Sequence, residues 1–258
     1  YIAAISTLLV FGCGGDDSAA PGGDTAGSGD SAQHEDGGAH HADVAPGEDE
    51  AVYAIPFVAT LDGAALECGV AYEGIGLSDS TIQVRDFRFY AYDIHLLNAE
   101  GEATPLRLIP DGSFQLPYTK SDGSDGWLAL IDFTDTGDEI CGERGTADVN
   151  TVINGIAAQG DYTRVAFSLG VPPEINHVNG AQAEAPLNVY GMQWTWASGF
   201  RHVKIDVQAT TGEKVKPWYY FHPGAQGCLS DDGTISGNYS CDNPLNGRVE
   251  MDFTFGSQ

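Results

Sequence analysis

The stretch that most constrains the fold is Thr81 to Leu97, Thr-Ile-Gln-Val-Arg-Asp-Phe-Arg-Phe-Tyr-Ala-Tyr-Asp-Ile-His-Leu-Leu. It alternates with a period of two, placing Ile82, Val84, the aromatics and the closing aliphatics on strand positions, with a bulge expected near Asp86. No helix of ordinary amphipathic pattern accommodates that alternation, so the chain is expected to be organised around a long, half-buried β-strand. Asn98 to Gly101 reads as a turn and Thr104 to Ile109 as the returning strand of a hairpin.

The flanking sequence repeats the message. Val52 to Leu61 is a first strand that turns at Asp62-Gly63, and Trp127 to Phe133 is an apolar run broken only by Asp132, as for a strand buried on both faces. Tyr162 to Leu169, Met192 to Trp196, Val203 to Ala209, Val215 to His222 and Arg248 to Phe255 are further strands, with Asn176 to Leu187 a polar loop. Only Thr146 to Ala158 predicts a helix: Thr146 can cap it, Asp148 suits its first turn, and Val149, Val152, Ile153 and Ile156 fall at helical spacing. Thirty-four glycines supply the turns between short strands. The expected fold is all-β, an antiparallel β-sandwich of Ig-like or Greek-key type over residues 51–258 with one short helical excursion.

Residues 1–13 read differently. The short apolar run ends in Leu8-Leu9-Val10-Phe11-Gly12-Cys13, which resembles the end of a signal peptide with a lipobox, Cys13 being the lipidation site. The apolar run is too short to cross a bilayer, which takes about 20 residues. Residues 14–50 form a low-complexity acidic Gly/Ala/His linker with almost no large apolar residue, so disorder is expected there. His34, His40 and His41 read as solvated linker residues. An exported, periplasmic or outer-membrane-anchored lipoprotein follows, touching membrane only through lipid at Cys13.

Charge and motifs exclude several functions. Eleven basic against 37 acidic residues give a net charge of −26, which leaves too few cations to displace phosphate counterions from nucleic acid. No Gly-rich phosphate loop, Ser-His-Asp arrangement or CXXCH haem site is present, so the sequence supports no enzyme. Setting Cys13 aside, Cys68, Cys141, Cys228 and Cys241 make an even set in an exported chain and imply two disulfides. Of three connectivities, Cys228–Cys241 with Cys68–Cys141 is preferred because the first closes a short loop.

Val171 to Cys228 gathers the residues with metal chemistry: Asn176-His177, Met192-Gln-Trp-Thr-Trp196 and Phe221-His222-Pro-Gly224. Imidazoles and a thioether suit copper, Cu(I) especially, better than calcium or magnesium. If Met192 to Trp196 is a strand, then Met192, Trp194 and Trp196 share a face, and a core stripe is the plainer reading of the two tryptophans. His95 is an outward polar position, and a loop histidine such as His177 is by itself more often solvated than ligating.

Taken in order, these pieces resemble the MbnP family, methanobactin-associated copper proteins also described as four-cysteine members of a metallo-mystery pair. The matching residues are Cys68-Gly69 with Tyr72 to Gly76, Asp86-Phe-Arg-Phe-Tyr90, Trp127 to Phe133, Cys141 with Gly145-Thr146, and Leu169 to Pro172. Asn176-His177, Ala185-Pro-Leu-Asn188, Met192 to Trp196 with Gly199-Phe200, His222 with Gly227-Cys228, and Cys241 with Asn243-Pro244 complete them. The resemblance implies a monomeric, non-enzymatic copper-binding β-sandwich for copper uptake, storage or homeostasis. It implies a partner as well, a di-haem cytochrome c peroxidase-like enzyme related to MauG, which oxidises a tryptophan to kynurenine on which copper binding depends. His177, Met192 and His222 are then the implied ligands, and Trp196 the first candidate for oxidation, ahead of Trp194 and Trp127. Phe200-Arg-His202 departs from the family's aromatic-Lys-Phe, so that His202 is either a further candidate ligand or a changed surface position. The competing expectation is a cell-surface interaction or carbohydrate-binding module without metal.

Overall fold

The computed structural model describes residues 2–6, 45–61, 63–67, 69–77, 79–134, 149–211, 214–234, 239–245 and 247–252. Strands dominate it: β1 (Ile2–Ser6), β2 (Glu50–Leu61), β3 (Ala64–Ala65), β4 (Ala71–Ile75) and β5 (Ser80–Asn98) lead in. Next come β6 (Ala103–Pro105), β7 (Arg107–Leu108), β8 (Gln115–Thr119), β9 (Asp125–Asp132), β10 (Val152–Ala158) and β11 (Tyr162–Leu169). After a 3-10 turn at Pro173–Ile175, the chain adds β12 (Gln193–Thr195), β13 (Gly199–Phe200), β14 (Val203–Thr211) and β15 (Lys214–Phe221). It ends with β16 (Gln226–Ser230), β17 (Tyr239–Asn243) and β18 (Gly247–Asp252). Among the described residues no helix is long and apolar enough to cross a membrane.

The expected long strand is the spine. β5 runs for 19 residues, left-handed only at Asp93 (φ 51°), and it pairs in turn with β4, β14, β9, β11 and β6 in a nine-stranded antiparallel sheet. The bulge falls at Arg85: Asp206 of β14 lies opposite Asp86 and the next residue, Val207, opposite Val84. The second sheet runs β1-β2-β10-β7, with β3 on β2. Between the two sheets lies the main core, built from Tyr53, Ile55 and Phe57 of β2, Phe87, Phe89 and Leu96 of β5, Ile131, Ile153, and Val165 with Phe167 of β11. Phe89 stacks on Phe167 at 6.1 Å, and Phe57 meets both rings edge-on. Each buried phenylalanine contributes about 1.5–3 kcal/mol of apolar transfer, so this sandwich core is the main source of cohesion.

β5 is buried on both faces. Phe87, Phe89 and Ala91 point into the sandwich, while Asp86, Arg88 and Tyr90 point the other way and are covered by residues 171–202. That covering layer makes a second core of Tyr90, Leu116, Leu128, Leu130, Val171, Leu187, Met192 and Phe200. Phe200 meets Tyr90 edge-on, and the Tyr90 hydroxyl donates to the Pro186 carbonyl at 2.9 Å.

Two expectations need correction, and a third is met only in part by the described residues. No helix forms at the described end of Thr146 to Ala158; Val152–Ala158 is a strand paired with β2 on one side and β7 on the other. Its apolar residues satisfied helical spacing because Ile156 is buried on the face where Asn154 and Ala158 are exposed, which breaks the alternation. Gly155 sits where a Cβ would come within 2.6 Å of Leu106, so the close approach of β7 requires glycine there. The Thr104 to Ile109 strand divides: β6 returns along β5, whereas β7 crosses to the other sheet. Of the two expected disulfides the described residues contain one, Cys228–Cys241; Cys68 and Cys141 lie outside them, as do Cys13 and His34, His40 and His41.

Candidate metal site

The site is positioned by a change of neighbours at Tyr90. On one edge of β5, pairing with β14 gives way to pairing with β11 at this residue. The Tyr90 N–H donates to the His202 carbonyl at 3.0 Å and the Tyr90 carbonyl accepts from the Gly170 N–H at 2.9 Å. Residues 171–201 therefore leave and re-enter the sheet at a single point. Pro172 and Pro173 start the 3-10 turn, proline being suited to the first helical position, and the turn delivers Asn176 and His177. The Asn176 side chain accepts from the Phe200 N–H at 3.1 Å, which ties the turn to the β12–β13 hairpin. Gly199 has φ +77°, and a Cβ there would fall 2.6 Å from the Asn176 amide nitrogen.

His177 is buried, and its two ring nitrogens have different neighbours. Nδ1 donates to the Trp196 carbonyl at 2.9 Å, which leaves the lone pair on Nε2. Nε2 receives the Asn176 amide at 3.2 Å and lies 3.4 Å from Cys241 Sγ. Burial pushes the His177 pKa below its ordinary value, against a smaller upward pull from the Trp196 carbonyl, so the ring is neutral and able to bind a metal. Tyr239 stacks on the imidazole at 4.2 Å and 10°, and Trp196 meets Tyr239 edge-on at 5.9 Å. Cys228 and Cys241 face each other across the β16–β17 ladder and are disulfide-bonded. A cavity of about 200 Å³, lined by Val171, Asn176, His177, Tyr239, Cys241 and Pro244 among others, opens beside the ring.

The other candidates sit elsewhere. His222 Nε2 is bound to Asp206 Oδ1, Asp206 lies 3.5 Å from the Lys204 ammonium, and Lys204 contacts Asp86. Asp86 in turn takes both Arg88 Nε, at 2.7 Å, and Arg88 Nη2, and Arg88 Nη1 donates to the Tyr190 carbonyl at 3.0 Å. The histidine is thus the outer end of a buried ionic chain that runs across β14 and β5. Met192 is fully buried in the second core, its thioether packed among apolar side chains. The expected shared face of Met192, Trp194 and Trp196 does not form, because β12 is only three residues long. Trp194 is exposed, with the Arg201 guanidinium 5.1 Å above its ring and Gly224 against its edge. Trp127 is half-buried at the margin of the main core. His95 holds the Asp93 carbonyl at 3.0 Å and is partly exposed. His202 is 1% exposed; neither of its ring nitrogens has a well-formed hydrogen bond among the described residues, the Leu245 carbonyl being a weak neighbour, and burial lowers its pKa to about 4.

The structure thus joins His177 with Trp196, and the ligand-type group around His177 contains Cys228 and Cys241 but not His222. Sequence reasoning missed Tyr239, although it stands two residues before Cys241 on one strand and therefore shares its face. It missed the Lys204–Asp206 partnership with Asp86 and Arg88 as well. The signal was there: Val203, Ile205 and Val207 alternate with Lys204 and Asp206, one face apolar and the other charged.

Fold and site together define a β-sandwich with a buried, orientation-fixed imidazole set against a disulfide. The chain belongs to the MbnP family, whose model matches residues 50–258. Its structure is similar to that of MbnP from Methylosinus trichosporium, with a TM-score of 0.61 and 25% sequence identity over 79% of this chain and 72% of that one. No curated protein matches the sequence.

Proposed function

We propose that this protein is an exported copper-binding protein, not a catalyst, in which His177 is the anchoring ligand and Trp196 is oxidised to kynurenine by a separate di-haem enzyme. The hydrogen bond from His177 Nδ1 to the Trp196 carbonyl carries the reading. It fixes the tautomer that leaves Nε2 as the donor, the arrangement by which ligating histidines are commonly oriented, and it ties that histidine to the residue to be modified. Imidazole and an aryl amine are donors that suit copper.

The conversion adds two oxygen atoms across the indole C2–C3 bond and cleaves it, taking them from one dioxygen or from two hydrogen peroxides that leave as two waters. Water then releases the formyl carbon as formate, leaving an aryl amine and a ketone. This chain's own residues position the group: Tyr239 packs against both the His177 ring and the Trp196 ring, and Asn176 occupies the His177 lone pair until a metal displaces its amide. Lipid attachment at Cys13 places the protein at a membrane surface outside the cytoplasm, and the role is copper uptake, storage or homeostasis.

The test is copper stoichiometry and intact mass for protein produced with and without the di-haem partner. About one copper per chain is expected only when Trp196 has exchanged one carbon for one oxygen, and His177→Ala should abolish it. Copper bound equally by unmodified protein and by His177→Ala would overturn the assignment. A second reading, a glycan- or protein-binding module, draws on the exposed Tyr219, Tyr220 and Phe221 of β15, with Trp218 stacked on Tyr220 at 6.2 Å. It predicts that Tyr220→Ala abolishes glycan-array binding and that no tryptophan changes mass.

A further inference from the structure

The Cys228–Cys241 pair lies against His177 in a way that the copper reading leaves unused. His177 Nε2 is 3.4 Å from Cys241 Sγ, and the three ligand atoms of His177, Cys228 and Cys241 all lie within 4.8 Å of one another. The backbone, not the disulfide alone, keeps them there. Cys228 and Cys241 are directly opposite in an antiparallel ladder whose flanking pairs are Gln226 with Asn243, Leu229 with Ser240 and Ser230 with Tyr239. Directly opposed residues have Cβ atoms about 4.5–5.5 Å apart by strand geometry alone, so opening the bond leaves two thiols still facing one another. His177 is held from outside that hairpin by the Trp196 carbonyl, which fixes its ring. Its orientation therefore does not depend on the state of the sulfurs.

We infer that reduction of the Cys228–Cys241 disulfide converts this corner into a Cys2His site for a soft d10 metal ion, Cu(I) foremost. The reductant is a dithiol. It passes two electrons to the disulfide through a mixed-disulfide intermediate and becomes a disulfide itself, while Cys228 and Cys241 take up its two protons as thiols. The metal then displaces those protons, forming two metal–thiolate bonds at about 2.3 Å and one imidazole bond at about 2.0 Å on zinc-type geometry. Two thiolates and one imidazole are a donor set that selects Cu(I) or Zn(II) over harder ions. The cavity beside Cys241 and His177 gives the ion an approach from solvent, and Asn176, which holds the Nε2 lone pair in the disulfide form, is the group displaced. This site goes beyond the kynurenine reading: it shares His177 but needs no modified tryptophan.

The experiment uses the full chain, unmodified at tryptophan, reduced with dithiothreitol, freed of it without oxygen, and titrated with Cu(I) against a chromophoric Cu(I) chelator. The reduced protein should bind Cu(I) at least about 100-fold more tightly than the disulfide form. Cys228→Ser/Cys241→Ser should lose that gain even though Cys13, Cys68 and Cys141 remain. His177→Ala should lose about tenfold or more of it. A wild-type readout runs beside the variants: bound Cu(I) should shield Cys228 and Cys241 from alkylation, read by peptide mass. Equal Cu(I) affinity of reduced wild type and the double serine variant, or undiminished alkylation of both cysteines in the loaded protein, would overturn the inference. Loss of copper from the modified, disulfide-bonded protein on Trp196→Phe bears on the kynurenine reading alone.

Discussion

His177 and His222 look alike in sequence, each beside a turn and each near aromatic residues, yet the structure treats them in opposite ways. His222 is absorbed into a chain of charge, Asp206, Lys204, Asp86 and Arg88, in which its Nε2 is already engaged. His177 stands among neutral groups, a carbonyl, an amide, a phenol ring and a disulfide, and its Nε2 is held by one displaceable donor. Proximity of a histidine to polar residues thus carries little information about ligation. What separates the two is the partner a metal would have to replace: a buried carboxylate in the first case and a neutral amide contact in the second.

The largest effect expected from pressing on this contrast lies in the ionic chain. Asp86→Ala leaves Arg88 and Lys204 without their shared carboxylate in a site where Asp86 and Arg88 are fully buried. It should cost about 3–5 kcal/mol, the usual penalty for breaking a buried pair from one side, read from urea denaturation midpoints. A loss near zero would mean the chain is not a structural unit.

A comparable effect should follow from acid, through His202. Its folded pKa of about 4 lies below the ordinary 6.5, so the unfolded chain binds the proton first. The contribution is complete above pH 6.5 and is lost as pH falls towards 4, by at most about 3 kcal/mol. His202→Phe should flatten that part of the pH–stability curve; an unchanged slope between pH 6.5 and 4 would remove His202 as its source.

His222→Ala should cost about 1–3 kcal/mol by depriving Asp206 of a partner, while copper stoichiometry stays at the wild-type value. His177→Ala should be milder for folding, about 1–2 kcal/mol for one hydrogen bond and a ring stack, but should abolish copper binding. If the copper effects were reversed between these two variants, the contrast would be upside down. Smallest of all, Met192→Leu keeps volume in the second core and should cost well under about 1.5 kcal/mol, with copper binding intact. Copper lost with Met192 would show that its buried thioether becomes accessible.

Much of the fold was legible because alternation is a direct record of one-sided burial. The bulge at Arg85, the spine of β5 and the strand at Tyr162–Leu169 all follow from it. It failed where the alternation is interrupted or hidden. Val152–Ala158 buries Ile156 on the face of the exposed Asn154 and Ala158 and reads as a helix, and the charged Asp86 and Arg88 of β5 are buried by partners distant in sequence. For the site, Asn176-His177, Trp196 and both cysteines of the close pair were visible as residue types. Their convergence was not, because it depends on a turn, a three-residue strand and a distant hairpin meeting in space. Met192 shows the converse: soft-ligand chemistry is visible in a sequence, but whether the atom reaches a cavity or a core is a property of packing.

The single point of departure and return at Tyr90 has a consequence for how such a molecule can change. Because Gly170 and His202 are both bonded to that residue, the layer between them is a closed appendage whose length and content leave the register of the sheet unaltered. The candidate-site residues it carries, from the proline-started turn to the tryptophan hairpin, can be remodelled or exchanged as a cassette. The sandwich beneath asks that Arg88, Tyr90, Leu128 and Leu130 stay covered and that Arg88 keep its carbonyl partner.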